Sequence, residues 1–79
     1  MAVEEDVKEV IIQTLSVKPE EVKLDKNLYD SLGVDSTEMV DLRIALEKKF
    51  GIKIEGKEIG KTSSPDDIIK VIGSKRKAF

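Results

Sequence analysis

Near the start of the chain, apolar side chains recur three or four residues apart, the interval at which side chains share one face of a helix. Acidic residues at positions 4–6 fall in the first turn, where the helix dipole stabilises negative charge. The apolar positions are Val3, Val7, Val10, Ile11 and Leu15. The pattern predicts an amphipathic helix over residues 3–16.

The helical period ends near Pro19, which restricts the backbone before it. Apolar residues up to position 35 then recur at wider spacing, with polar residues and Gly33 between them. They are Val22, Leu24, Leu28 and Leu32. This spacing predicts a long ordered loop over residues 17–35, pinned to the core by its aliphatic side chains. Long loops in compact domains are often functional.

A second helix is predicted from Ser36 to Phe50, ending at Gly51, a residue type favoured just past a helix end. At about 100° per residue, this segment has two stripes. The predicted core stripe holds Met39, Leu42, Leu46 and Phe50. The second stripe holds Thr37, Val40, Asp41, Ile44 and Lys48, with Glu47 at its margin.

The second stripe places two aliphatic residues, Val40 and Ile44, one turn apart and surrounds them with charge. A helix that only had to bury one side would place polar residues there. We interpret this stripe as a docking face with an apolar centre and a charged rim. The alternative is that Val40 and Ile44 widen the core stripe.

Beyond Gly51 the pattern predicts a short extended piece at Ile52 and Ile54, then a brief helical turn over residues 56–62. Ser64, Pro65 and two acidic residues are typical of a helix start. The last helix has an apolar face of Ile68, Ile69, Val71 and Ile72. These elements predict an all-α fold: one domain over residues 1–79, a small antiparallel helical bundle with three main helices, one short helix and a long first loop.

The composition excludes several classes of site. Without cysteine or histidine, the chain forms no disulfide and lacks the usual zinc ligands. Residues 1–47 hold 12 acidic and 5 basic side chains, a net charge of −7, whereas residues 48–79 hold 4 and 9, a net charge of +5. The acidic part favours encounters with basic partner surfaces. The basic end, residues 75–77, is short and has no interleaved aromatic residues, so we expect no nucleic-acid binding.

No apolar run is long enough to span a bilayer. The acidic, amphipathic start is not typical of a signal peptide. We therefore expect a location in the cytoplasm, with no membrane insertion. We also expect a monomer.

Ser36 stands at the predicted start of the second helix, where serine usually serves as the N-cap. Asp35 can cap instead, with Glu38 completing a capping box, which would leave the Ser36 hydroxyl free. A phosphate on that hydroxyl would face unpaired backbone N–H groups. Catalysis by Ser36 would need a base, and the lack of histidine rules out a serine–histidine pair. We predict that the chain is not an enzyme.

Residues 32–36, Leu-Gly-Val-Asp-Ser, followed by Glu38 and by Val-Asp-Leu at 40–42, resemble the prosthetic-group site of acyl carrier proteins. The resemblance also includes residues 18–22, 45–47, 50–52 and 67–69. It therefore covers about residues 3–72, most of the chain.

The resemblance implies that Ser36 receives 4′-phosphopantetheine from coenzyme A through a magnesium-dependent phosphopantetheinyl transferase. Asp35 would help this transferase to recognise the site. The thiol of this arm would carry acyl groups as thioesters for fatty-acid, lipid or polyketide-type synthesis, and the acyl chain would lie between helices in the core. Acyl-transferring and acyl-modifying enzymes with basic patches would dock on the second helix. The implied docking residues are Thr37, Glu38, Val40, Asp41, Ile44 and Glu47.

The sequence departs from the usual acyl carrier pattern at four positions. Thr37 replaces a usual leucine, Arg43 replaces a common apolar residue, and Lys48 and Lys49 replace frequent acids. Residues 36–50 consequently have three acidic and three basic side chains, a net charge of zero, where family members are strongly acidic. We hypothesise a specialised carrier that serves a dedicated pathway.

Two other functions fit the residues. One is an unmodified helical protein-interaction module that grips its partner through Val40 and Ile44. The other is a peptidyl or aminoacyl carrier, a class that often has glycine or histidine before the serine, whereas this chain has Asp35.

Overall fold

The computed structural model describes residues 2–76, and this part of the chain contains four α-helices. They are α1 (Ala2–Leu15), α2 (Leu28–Leu32), α3 (Ser36–Phe50) and α4 (Pro65–Arg76), with a 3₁₀ turn at Pro19–Glu21. No strand occurs within these residues, so the predicted all-α fold is confirmed. Lys77, the last residue of the basic end, lies outside the described range.

An aliphatic core holds the helices together, and α1 packs against both α3 and α4. Its buried side chains are Val7, Val10, Ile11, Val22, Leu28, Val34, Met39, Leu42, Leu46, Ile54, Ile59, Ile68 and Ile72. The predicted core stripe of α3 is confirmed for its first three members, whereas Phe50 is half-buried at the edge of the core. Burial of such side chains contributes roughly 1.5–3 kcal/mol each, which makes the core the main source of stability.

The region predicted as one long loop contains the 3₁₀ turn and the short helix α2. Asn27 caps α2, because its side-chain oxygen accepts a hydrogen bond from the Asp30 N–H at 2.7 Å. Gly33 ends the helix in the left-handed conformation, with φ of 66°. A loop prediction based on irregular apolar spacing missed these signals, since a helix of five residues shows little periodicity.

The short helix predicted over residues 56–62 is wrong, since the structure has only turns there. The Glu55 N–H donates to the Glu58 carboxylate at 2.8 Å, as at a helix start. In a helix the Gly60 N–H would donate to the Gly56 carbonyl, but it donates instead to the Ser63 hydroxyl at 3.0 Å, so the turn does not continue as a helix. The fold does contain one short helix, as predicted, but it is α2, which precedes α3 instead of following it.

Two connecting segments that are distant in sequence are joined by backbone hydrogen bonds. The Leu28 N–H donates to the Ser63 carbonyl at 3.0 Å, and the Tyr29 N–H donates to the Lys61 carbonyl at 2.9 Å. These bonds satisfy N–H groups in the first turn of α2, which have no partner within the helix. They also bring residues 60–63 next to the segment that leads into α3.

Candidate functional site

The start of α3 is fixed by a reciprocal pair of hydrogen bonds. The Asp35 carboxylate accepts from the Glu38 N–H at 2.8 Å, and the Glu38 carboxylate accepts from the Asp35 N–H at 3.0 Å. This is the capping box that the sequence predicts. Asp35 is the cap, so Ser36 is the first residue of the helix.

Ser36 is exposed, and its hydroxyl has no hydrogen-bond partner among residues 2–76. Immediately before it, Val34 is buried with only 2% of its surface exposed, and Gly33 turns the chain in the left-handed conformation. An anchored residue two positions upstream and a capped helix downstream hold the Ser36 backbone in place. The hydroxyl is thus presented to solvent from a fixed position.

A surface groove of about 300 Å³ lies beside Ser36. One side is the first half of α3, and the other is the turn region before α4. The lining residues are Ser36, Met39, Val40, Arg43, Gly56, Ile59, Gly60 and Lys61. The lining thus combines three apolar side chains, Met39, Val40 and Ile59, with two cationic side chains, Arg43 and Lys61. The far wall of the groove was missed from the sequence, because residues 56–61 lie next to α3 only in the packed bundle.

The second stripe of α3 faces solvent. Val40 is 47% exposed and Ile44 is 40% exposed, so the alternative that they widen the core stripe is wrong. Thr37 and Asp41 are exposed on the same face, and Glu38 is half-buried in the capping box. The structure therefore leaves an apolar centre with acidic neighbours open on the side of the bundle next to Ser36.

Glu47 differs from the other predicted docking residues, because its carboxylate has partners within the chain. It accepts a hydrogen bond from the Ile54 N–H at 2.7 Å and lies 3.7 Å from the Arg43 guanidinium. Arg43 in turn donates to the Ile54 carbonyl at 3.0 Å. The two side chains satisfy both backbone polar groups of the fully buried Ile54, a role that sequence reasoning missed.

The described residues contain no cluster of acidic side chains that could hold a metal ion. None of the helices within residues 2–76 has the length and apolar character required to cross a bilayer. The carboxylates nearest Ser36 are those of the capping box, and each accepts a backbone N–H.

The structure is a small helical bundle that presents the Ser36 hydroxyl beside an open groove and an exposed apolar stripe of α3. The comparisons with known proteins show that this bundle is a carrier domain. Residues 5–72 match the family described as "Phosphopantetheine attachment site". The chain is also 42% identical over 72 residues to an acyl carrier protein of Wolinella succinogenes, covering 91% of this chain and 95% of that protein.

Two further relatives agree. An acyl carrier protein of Campylobacter fetus subsp. fetus is 39% identical over 77 residues, covering 98% of this chain and 100% of the relative. One of Petrotoga mobilis is 42% identical over 71 residues, covering 90% and 84%. The chain belongs to the acyl carrier protein family. It is a carrier and not an enzyme, its cofactor is covalent 4′-phosphopantetheine, and it works with the synthesis enzymes that act on such carriers.

Proposed function

We propose that Ser36 bears the 4′-phosphopantetheine arm and that the chain presents acyl groups on it, as thioesters of the arm's thiol, to enzymes of fatty-acid, lipid or polyketide-type synthesis. The observation that carries this proposal is the free, exposed Ser36 hydroxyl at a capped helix start. A modifying enzyme can approach this oxygen without breaking a bond that the fold needs.

The surroundings of Ser36 suit a phosphodiester. The backbone N–H groups of Ser36 and Thr37 have no partner within the described chain, because the cap engages the N–H of Glu38 and the Met39 N–H bonds to the Asp35 carbonyl. Free N–H groups at a helix start favour anions. Lys61, which lines the adjacent groove together with Ser36, adds a positive charge on the same side of the bundle.

The groove supports a position for the arm and for the start of its cargo. Its lining includes Ser36 and three apolar side chains, those of Met39, Val40 and Ile59. Lys61 is held over the ring of Tyr29, with its Nζ 5.3 Å from the ring centroid. The apolar side chains of the lining would allow an arm attached to Ser36 to bury its apolar groups in the groove.

Docking by phosphopantetheinyl transferase and by acyl-transferring or acyl-modifying enzymes is proposed for the exposed stripe of α3. Asp35, Glu38 and Asp41 supply negative charge near Ser36, which complements basic enzyme patches. Val40 and Ile44 supply the apolar centre. A docking role for Glu47 stays a prediction, as do the monomeric state and the location in the cytoplasm.

Intact-mass analysis tests the attachment site. The chain is incubated with coenzyme A, Mg²⁺ and a phosphopantetheinyl transferase, and we expect a mass increase of one phosphopantetheine group. Ser36→Ala should abolish the increase. Ser74→Ala is the matched control, since Ser74 is also an exposed helical serine, and it should be modified like the unaltered chain. An unchanged mass of the unaltered chain, or a label on a residue other than Ser36, would contradict the proposal.

A further inference from the structure

Most of the charged side chains in the second half of α3 have partners within the chain. Arg43 and Glu47 hold the backbone of Ile54, with hydrogen bonds of 3.0 and 2.7 Å. The Lys49 ammonium lies 3.6 Å from the Glu9 carboxylate of α1. These three side chains therefore serve the packing of α3 against its neighbours.

Lys48 is the exception. It is exposed and has neither a hydrogen bond nor an ion pair with any residue between 2 and 76. At about 100° per residue it projects on the same side of α3 as Asp41 and Ile44, whereas Lys49 points roughly 100° away, toward α1. The free cation thus belongs to the docking face, and its neighbour does not.

The docking face therefore changes sign along its length. Asp41 lies at the end nearer Ser36, Ile44 lies in the middle, and Lys48 lies about 10 Å beyond Asp41 along the helix axis. An enzyme patch that is basic throughout would be attracted at the first end and repelled at the second. Repulsion of wrong partners is an ordinary source of specificity.

We infer that Lys48 is a specificity-determining residue, and that the partner enzyme carries a basic group opposite Asp41 and a carboxylate opposite Lys48. The inference rests on the proposed function, since it names the partner of the same docking face. The exposed apolar centre consists of two side chains, Val40 and Ile44. Stable interfaces bury about 1,200–2,000 Å², so a small centre with paired charges suits transient docking by an enzyme rather than a permanent complex.

The test uses the chain after the arm has been attached and its mass verified, so a failure of the proposed function appears before docking is measured. The probe is a malonyl transferase of a bacterial fatty-acid synthase with a docking patch of lysine and arginine. Lys48→Glu should lower the KM for the carrier by about three- to ten-fold with little change in kcat, as expected for one reversed charge at an exposed contact.

Lys49→Glu is the matched control, because it makes the same change of charge on the adjacent residue but off the docking face. Its KM should stay within about two-fold of the unaltered chain, given the weakness of distant exposed charges in salt. Circular dichroism of both variants verifies the fold. Equal effects of the two substitutions, or no effect of Lys48→Glu, would overturn the inference.

A second arm tests the predicted carboxylate. Each basic residue of the probe's docking patch is replaced in turn by glutamate, and each variant is assayed with the unaltered chain and with Lys48→Glu. The unaltered probe should prefer Lys48→Glu to the unaltered chain. One of the glutamate replacements should reverse this preference, so that the unaltered chain becomes the better substrate. Absence of any such reversal would contradict a carboxylate opposite Lys48. Sedimentation of the unaltered chain tests whether a second copy of the chain, rather than an enzyme, binds the docking face. A dimer that Lys48→Glu abolishes would show that the partner is a second copy and would overturn the inference.

Discussion

The starts of α3 and α4 have the same hydrogen-bond pattern but use serine differently. At α4 the Ser64 hydroxyl accepts from the Asp67 N–H, and the Asp67 carboxylate accepts from the Ser64 N–H, both at 3.1 Å. At α3 the cap is Asp35, and the serine comes one residue later. Both starts are complete capping boxes, so both helices are equally well defined at this end.

Ser64 is the cap of α4, whereas Ser36 comes one position after the cap of α3. Ser64 is half-buried, and its hydroxyl holds the helix start, while the next residue, Pro65, is buried in the core. Ser36 occupies the position equivalent to Pro65, yet it is exposed and unbonded among the described residues. We therefore expect the residue that precedes a serine at these helix starts to determine whether the hydroxyl is available for modification.

The largest predicted effect comes from reversing this register. In the double substitution Asp35→Ser and Ser36→Asp, the relocated serine would cap α3, since serine and aspartate are comparable caps. We expect no phosphopantetheine attachment, because the hydroxyl is then hydrogen-bonded to the Glu38 N–H. The free energy of unfolding should change by less than about 1 kcal/mol. Intact mass and urea denaturation measure the two quantities.

Ser64→Ala is the counterpart for the other helix start. It should keep full attachment of the arm and lose about 1 kcal/mol of stability, because the cap of α4 is removed. Attachment to the relocated serine at position 35 in the double variant would show that register does not control availability.

These two helix starts were the most predictable parts of the fold. Their signals are local: Asp35 with Glu38, and Ser64 with Pro65 and Asp67, lie within single turns. The same local rule was available for α2, where Asn27 and Asp30 form the cap and Gly33 the end. Yet α2 depends on hydrogen bonds from residues 28 and 29 to carbonyls more than 30 positions away, which no local pattern reports.

The groove and the support of Ile54 show the same limit. The sequence predicts the α3 side of the groove, but Ile59 and Lys61 reach it only through the packing of the whole bundle. The sequence pattern does not distinguish Arg43 and Glu47 from other surface charges, because they bind the backbone carbonyl and N–H of Ile54. Local composition predicts which side chains are charged, whereas tertiary structure decides which of them remain free.

A serine just past the C-terminal end of a helix gives a prediction of a smaller effect. Ser16 follows α1 with φ of 55°, in the left-handed region, while Gly51 follows α3 with φ of 64°. Glycine adopts this conformation without the Cβ clash that other residues suffer. Ser16→Gly should therefore raise the free energy of unfolding by about 1 kcal/mol, and Gly51→Ser should lower it by about the same amount.

Urea denaturation measures both variants. A Cβ at Gly51 would meet no atom within 4 Å, so any loss in Gly51→Ser reports the backbone conformation rather than a steric contact. If both substitutions were neutral, the left-handed ends of α1 and α3 would carry no strain, and the parallel between helix ends would be limited to their N-terminal caps.

The smallest predicted effect concerns Glu58. Its carboxylate accepts a hydrogen bond from the backbone N–H three residues earlier, as those of Glu38 and Asp67 do, but in a turn rather than at a helix start. Hydrogen bonding from the Glu55 N–H, and then the Lys75 ammonium at 2.9 Å, hold the pKa of Glu58 below its ordinary value of 4.5. A lowered pKa in the folded state means that the charged form stabilises the fold. This contribution is present above about pH 4.5 and is lost as the pH falls through the lower, folded-state pKa.

Glu58→Gln should therefore lower stability at pH 7, and the difference from the unaltered chain should shrink as the pH falls below 4.5, where the unaltered carboxyl becomes protonated. Lys75→Gln separates the two causes: it removes the ammonium but leaves the Glu55 N–H bond, so part of the pH dependence should persist. Urea denaturation between pH 3 and pH 7, at low and high salt, measures these differences. Salt screens the Glu58–Lys75 ion pair more than the hydrogen bond from the Glu55 N–H. If the pH dependence vanished in high salt, Lys75 would be the cause of the lowered pKa of Glu58. The Glu55 N–H bond would then contribute little, and Glu58 would differ from the caps of α3 and α4.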